Sequence, residues 1–291
     1  MKHVSVVIPN YNGKHLLAKQ VPILVSCLRD GDEIIIVDDH SSDASASWLI
    51  KEFNLSINAN QDHVAAFDLH SGSIKNSNKK ISLTVVANHQ NIRFGQTANR
   101  GVEVAAHDLI LLLNNDVFPE KNLLQYLLPH FENTRVFAVG CLEKEPNDDG
   151  SFKLGGKNRL WFEKGMFIHS RASNYNSGTT AWVSGGSGMF DKQKWLELGG
   201  FDSAYYPAYW EDIDLSYRAK KQGWLVLFEK NAVVEHKHET TNDSVFGQQA
   251  IRKMSWKHAQ VFVLKNGSFA QKVLHFIWQP FWIWHQRKQI V

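Results

Sequence analysis

An α/β layered domain built on a mostly parallel sheet, with flanking helices, is the fold class this sequence predicts. Three observations predict it. Short apolar, β-branched runs recur from the start of the chain, at residues 4–8 (VSVVI), 33–37 (EIIIV) and 82–86 (SLTVV). The segments between them are long enough for helical crossovers, which parallel strands need and hairpins do not. The runs are apolar along most of their length rather than alternating, as strands buried on both faces are.

Taken in order, the first run ends at Pro9 and the turn-forming Asn10-Tyr11-Asn12-Gly13. Residues 15–28 then show spaced apolar positions and stop at an Asp30-Gly31 turn. The second run stops at Asp38-Asp39-His40-Ser41-Ser42-Asp43, where Ser42 or Asp43 can cap a helix through Trp48 towards Phe53. Residues 54–80 are polar and weakly patterned, and are expected to form a loop or insertion with at most one short element. After the third run, residues 99–106 read as part of a helix, and the most apolar run, 109–113 (LILLL), ends abruptly in Asn114-Asn115-Asp116. A helix is expected over 120–131 and a strand over 136–140. Residues 143–180 are rich in Gly, Asn and Lys and read as mixed loop and edge strand. Helical LSYRAKKQG follows Trp210-Glu211-Asp212-Ile213-Asp214 and stops at Gly223, and strand-like runs lie at 224–228 and 232–234.

Composition narrows the function classes. With 43% hydrophobic residues the chain has ample core material, which excludes a disordered protein. Its two cysteines, Cys27 and Cys141, make neither a disulfide scaffold nor a four-ligand structural zinc site, and fit a reducing compartment. The opening residues lack the apolar run of a signal peptide, and no stretch reaches the roughly 20 apolar residues of a membrane span. The formal net charge of +3 hides an asymmetry: residues 244–291 hold seven Lys or Arg and no Asp or Glu. Seven scattered cations are a thin footprint for phosphate backbone, so nucleic acid is not the expected partner.

Ligands of such sheets bind beyond the carboxyl ends of the strands, which directs attention to what terminates each apolar run. Asp38 and Asp39 can hydrogen-bond a base or ribose, or bind a metal, or simply form a helix-capping turn. Asp116, at the mouth of the LILLL strand, can ligate a hard cation carried by a diphosphate, or sit in a plain turn before Pro119. Glu211 or Asp212 can act as a general base, or cap the helix that they begin. Asp214 and Arg218 have the spacing of an i,i+4 pair, which gives Asp214 a structural role. His236, at a strand end beside acidic positions, can complete a metal site, whereas His238 reads as surface. Gly185-Gly186-Ser187-Gly188 allows close approach of backbone to a ligand, or tight turns. No GxGxxG or Walker-type lysine loop is present, which disfavours NAD binding and ATP hydrolysis.

Each cluster is weak alone, but their order is not. VSVVIPNYN, IIIVDDHSSD, the NxxFGxxxNxG-like run from Asn91 to Gly101, LLLNNDV, GGSGMF, LGGFD, WEDIDLSYR and VVEH together resemble a family 2 glycosyltransferase, nearest to its rhamnosyltransferase-like members. The resemblance covers residues 3–241. It implies a GT-A fold with a Rossmann-like sheet over residues 1–243, a nucleotide-binding half at about 1–118 and an acceptor half at about 119–243. Residues 244–291 would form a basic, aromatic helical tail. It also implies inverting transfer from a nucleotide-diphosphate sugar, dTDP-rhamnose or a UDP-hexose, to a glycan or lipid-linked acceptor. The setting implied is cytoplasmic, at the inner face of a plasma membrane.

By the same resemblance Pro9, Tyr11 and Asp39 would surround the nucleotide, with Asp38 beside them. Asn91, Arg93, Gly95 and Asn99 would line the sugar-diphosphate pocket, with Asn114 and Asn115 at its edge. Asp116 and His236 would hold a divalent cation, Mg2+ or Mn2+. Asn114 stands where the family's first motif aspartate is usual, which removes one charge. Gly186 and Gly188 would approach the donor or acceptor through backbone. Asp212 would be the base, with Glu211 positioning the acceptor or sharing the role, and an exposed carboxylate of ordinary acidity suffices for that. Two rivals share the fold: a sugar nucleotidyltransferase, which usually has a glycine-rich basic loop after its first strand, and a non-catalytic carbohydrate-binding protein, which should have lost its carboxylates. The tail suits a bilayer surface, or a helix packed onto the domain or a second subunit.

Overall fold

A computed structural model describes residues 2–58, 66–76, 78–147, 149–236 and 247–290, with residues 285–290 by backbone alone. The expected surface position of His238 and the boundary between residues 243 and 244 lie outside the described residues. The first half runs β1 (Val4–Asn10), α1 (Lys14–Cys27), β2 (Glu33–Asp38), α2 (Ser45–Glu52), β3 (Ser56–Ile57), β4 (Phe67–Asn76), β5 (Lys79–Asn88), α3 (Arg93–Val104) and β6 (Leu109–Leu113). It continues through β7 (Val117–Pro119), α4 (Leu123–Leu127), β8 (Val136–Pro146), β9 (Phe152–Gly155), β10 (Asn158–Glu163), β11 (Met166–Arg171) and β12 (Gly178–Thr179). β13 (Ser187–Asp191), α5 (Lys192–Glu197), α6 (Glu211–Lys221), β14 (Leu225–His236), α7 (Gln248–Asn266) and α8 (Phe269–Ile290) complete the chain.

The main sheet has the order β12-β14-β8-β13-β6-β1-β2-β5-β4-β3. β5, β2, β1 and β6 are mutually parallel, so their carboxyl ends share one edge. β13 inserts antiparallel between β6 and β8, and β14 lies parallel to β8. Every residue of β1, β2 and β6 is buried, as their continuous apolar runs require. Strand alternation sends Val4, Val6 and Ile8 into a core shared with α1, α2 and α4, and Val7 into one shared with α3, α5 and α6. On the second face Gly101 lets α3 sit close: a Cβ there would lie 2.4 Å from Val7 Cγ1.

The sequence missed one long strand. Residues 54–80, expected as a loop, contain β4, which pairs with β5 from Phe67↔Asn88 to Asn76↔Lys79. β4 lies near the sheet edge and is half-buried or exposed throughout, so backbone pairing holds it without an apolar signature. The helix expected over 120–131 is a five-residue α-helix followed by a 3-10 helix, because Pro129 cannot donate the next α-helical hydrogen bond. The runs at 224–228 and 232–234 are one strand with an irregularity between Glu229 and Val233. α8 continues through Pro280, with that proline on the exposed side.

The two C-terminal helices pack differently. Ala259, Phe262 and Val263 of α7 are buried in a third, aromatic cluster with Phe167, Tyr205 and Trp210. α8 lies over the β10–β11 hairpin, held by Trp282 Nε1 donating to Lys164 O at 2.6 Å. Among the described residues no helix is long and apolar enough to cross a membrane.

Candidate active site

Three loops at the carboxyl edge are stitched together by side chains the sequence singled out. Asn10 Nδ2 donates to Asp38 Oδ1 at 2.8 Å, and Asn115 Nδ2 donates to Asn10 Oδ1 at 2.8 Å. Asp38 also accepts from Ser41 N and Oγ. Asp39 accepts from Asn88 Nδ2 at 2.9 Å and from the amides of Ile92 and Arg93 at 2.8 Å. It thereby caps the entry to α3, where Arg93 has a left-handed φ of 68°. Of the alternatives open for Asp38 and Asp39, the turn is present, through Asp38 and Ser41, whereas the N-cap of α2 is Ala44 rather than Ser42 or Asp43. Pro9 is buried and Tyr11 half-buried at the same edge. Asn91 Oδ1 accepts from Arg93 N at 3.2 Å, which keeps the NxxFG turn compact. Asn99 spends both amide atoms on the backbone of Phe201, and Gly95 packs against the Phe201 side chain. This pair therefore fastens α3 to the LGGFD turn.

A second group converges where β6, β8 and β14 end and β13 begins. Asn114 N donates to Gly186 O at 2.9 Å, and a Cβ on Gly186 would lie 2.5 Å from Asn114 Nδ2. Gly188 is buried in β13 against Val183. Antiparallel pairing of β7 with β14 sets His236 opposite Val117, and His236 Nε2 lies 3.4 Å from Asp116 Oδ1. That oxygen is buried and has no hydrogen-bond donor. Burial disfavours charging His236, but Asp116, Glu143 and Glu145 outweigh it and raise its pKa.

Glu143 and Glu145 were not anticipated. They share one face of β8 by strand alternation, and with His236 each offers a ligand atom within 4.8 Å of the others. The Glu-Lys-Glu pattern at a strand end was the available signal. Glu145 is already paired with Arg171 and Lys153, while Glu143 accepts from Ser187 Oγ. By their spacing Glu143, Glu145 and His236 fit a divalent cation, with Asp116 beside His236. Two carboxylates and an imidazole suit Mn2+ at least as well as Mg2+.

The third group is Glu211 and Asp212, which begin α6 after Tyr209 and Trp210, both in left-handed backbone with φ of 74° and 79°. Non-glycine residues hold such angles only when their surroundings enforce them. Here α7 does so: Trp210 Nε1 donates to Ser255 Oγ at 3.2 Å, and His258 Nδ1 donates to the carbonyls of Ala208 and Tyr209 at 3.0 Å. Asp212 accepts from Ile213 N at 2.8 Å and more loosely from Gly185 N at 3.4 Å. Glu211 Oε2 is buried without a hydrogen-bond partner.

The sequence expectation of an exposed carboxylate with ordinary acidity is incorrect. Burial, and then the charge of Asp212, raise the Glu211 pKa; burial is likewise the main cause for Asp212, with Glu143 adding repulsion. Glu143 thus acts electrostatically on both Asp212 and His236, so the acidic pair and the cation cluster share one site.

Asp214 has the structural role expected of it. Fully buried, it accepts from Arg218 Nε at 2.7 Å, Tyr205 Oη at 2.9 Å and Asn266 Nδ2 at 2.6 Å, joining α6 to α7. Asp214→Ala leaves Arg218 without its carboxylate and is expected to cost about 3–5 kcal/mol, read as a lower denaturant midpoint.

A model of the family described as glycosyltransferase like family 2 matches residues 2–257. An N-acetylglucosaminyl-diphospho-decaprenol L-rhamnosyltransferase of Mycobacterium tuberculosis is 39% identical over 171 residues, covering 52% of this chain and 54% of its own length. A poly-beta-1,6-N-acetyl-D-glucosamine synthase of Staphylococcus aureus is 20% identical over 233 residues, covering 80% of this chain and 49% of its own. The chain thus spans about half the length of the curated relatives it matches. GalNAc-T7, solved with UDP, GalNAc and Mn2+, superposes with a TM-score of 0.61 at 18% identity, covering 82% of this chain and 44% of that one. A mannosyltransferase from Pyrobaculum calidifontis, solved with GDP-Man and Mn2+, gives 0.57 at 14% identity, covering 97% and 83%. These two likenesses show a shared fold.

Proposed function

The chain belongs to glycosyltransferase family 2, and from that premise we propose that it is an inverting enzyme with Asp212 as general base. The observation that carries the reading is the buried acidic pair Glu211–Asp212, beside the Gly185-Gly186 backbone and within electrostatic reach of Glu143. An acceptor hydroxyl attacks the anomeric carbon while Asp212 takes its proton, and the bond from that carbon to the diphosphate oxygen breaks. The raised pKa brings the base nearer to the working pH, where a carboxylate takes protons more effectively. Glu211, protonated more readily still, orients the acceptor. A divalent cation held by Asp116, His236 and Glu143 would supply positive charge against the leaving nucleoside diphosphate. The edge formed by Pro9, Tyr11, Asp38 and Asp39 receives the nucleoside, and Asn91, Arg93 and the Asn114–Gly186 junction lie towards the diphosphate and sugar.

The donor we propose is dTDP-rhamnose, with a UDP-hexose as the alternative, and the acceptor a glycan on a diphosphate-linked lipid. The relative that transfers L-rhamnose to N-acetylglucosaminyl-diphospho-decaprenol supports the choice of sugar and of acceptor. A panel of nucleotide sugars, assayed for nucleoside diphosphate release with and without polyprenyl-diphosphate-linked N-acetylglucosamine, tests them. Release from dTDP-rhamnose that depends on the acceptor is the expected result, and release from none of the donors would overturn the enzyme reading.

A further inference from the structure

Among the described residues, α8 presents a largely exposed apolar face. Phe269, Val273, Phe276, Ile277, Ile283 and Trp284 are 84%, 41%, 60%, 63%, 51% and 54% exposed. At helical spacing these positions, with Pro280, fall in one stripe along the helix. The opposite side is fastened: His275 Nδ1 donates to Gly165 O at 2.9 Å, Trp282 donates to Lys164 O, and Trp256 packs against Trp282 with the rings tilted. The outward orientation of the stripe is therefore fixed by the fold.

The charge around the stripe selects the occupant. α7 and α8 contain no Asp or Glu, Arg252, Lys253 and Lys257 are exposed on α7, and Lys272 flanks the stripe on α8. Further along, Arg287 and Lys288 extend the same helix. A second copy meeting this face helix to helix would bring cations against cations, since neither helix carries an acid. Aromatic and aliphatic residues along one helix face, with Lys and Arg beside it, match an interfacial helix lying in a headgroup layer. We infer that the outward face of α8 docks this protein onto an anionic lipid surface. α7, which meets α8 through Trp256 and Trp282, also holds the Trp210 side chain through Ser255 and the Ala208 and Tyr209 carbonyls through His258, which joins the lipid-facing helix to the acidic pair.

Co-sedimentation of the full chain with vesicles tests this without any substrate, and so independently of the catalytic reading. The chain is expected to sediment with mixed phosphatidylglycerol–phosphatidylcholine vesicles, much less with phosphatidylcholine alone, and less as salt is raised. The double variant Phe276→Glu, Ile277→Glu should bind the anionic vesicles at least about tenfold more weakly, with an unchanged far-ultraviolet spectrum and thermal midpoint. Ile283→Glu, further along the stripe, should act in the same direction. Equal binding to both vesicle types, or wild-type binding by the variants, would overturn the inference. So would a dimer in light scattering that the double variant dissociates, since the stripe would then be covered by a second copy.

Discussion

Replacing Asp212 with asparagine is expected to lower transfer by roughly 10²–10⁴ while nucleotide binding persists. The amide keeps the shape of the side chain, but it cannot take the acceptor's proton. Calorimetric titration with nucleoside diphosphate should give nearly the wild-type affinity, because Asp212 meets Gly185 and Ile213 rather than the loops of β1, β2 and α3. Stability separates this loss from damage to the fold. A carboxyl whose pKa is higher in the folded chain than in the unfolded one binds its proton more tightly when folded. Its stabilising contribution is complete below the unfolded value and is lost as pH rises through the folded value. Glu211 and Asp212 are both raised, so at neutral pH, where the unfolded carboxyls ionise freely and the folded pair resists it, the pair weakens the fold. Asp212→Asn and Glu211→Gln should each therefore gain about 1–2 kcal/mol near neutral pH, visible as a thermal midpoint higher by roughly 2–8 °C. The gain should vanish below about pH 4, where the wild-type pair is protonated in both states. Full turnover by Asp212→Asn would remove the assignment, whatever its stability.

This pair also marks how far the sequence could be read. WEDID locates the two carboxylates, but what shifts their acidity is burial, joined by Asp212 at Glu211 and by Glu143 at Asp212. The burial and the approach of Glu143 are long-range consequences of packing. The parallel strands were legible because continuous apolar runs have few other uses, and the strand ends followed from the polar residues that stop them. β4 was not, since an edge strand held by backbone pairing needs no apolar face. The cation cluster shows a similar division. Asp116 and His236 stand at strand ends visible in the sequence, whereas Glu143 enters the group only because β8 lies between β13 and β14. Asn99 is a case where a residue inside a recognisable motif serves a turn far along the chain, holding Phe201 rather than presenting its amide to a ligand.

That cluster carries the second large effect. Asp116→Ala is expected to weaken nucleotide-sugar binding about 10- to 100-fold in the presence of Mn2+, and to leave binding in EDTA at the wild-type level. The difference between the two conditions is the informative quantity. Asp116 Oδ1 is buried with His236 Nε2 at 3.4 Å, so the carboxylate's internal partner there is itself one of the residues proposed to hold the cation. A purely structural role would lower affinity with and without the cation alike. Direct titration of Mn2+ into the chain without nucleotide gives a second readout, with weaker binding expected for Asp116→Ala and for Glu143→Gln. Glu145→Gln should change it little, because Arg171 and Lys153 already engage that carboxylate. Its loss should instead loosen the contact from β8 to β11, where Arg171 lies. Wild-type transfer undiminished in EDTA would overturn the role of Asp116 and confine the site's work to its own polar groups.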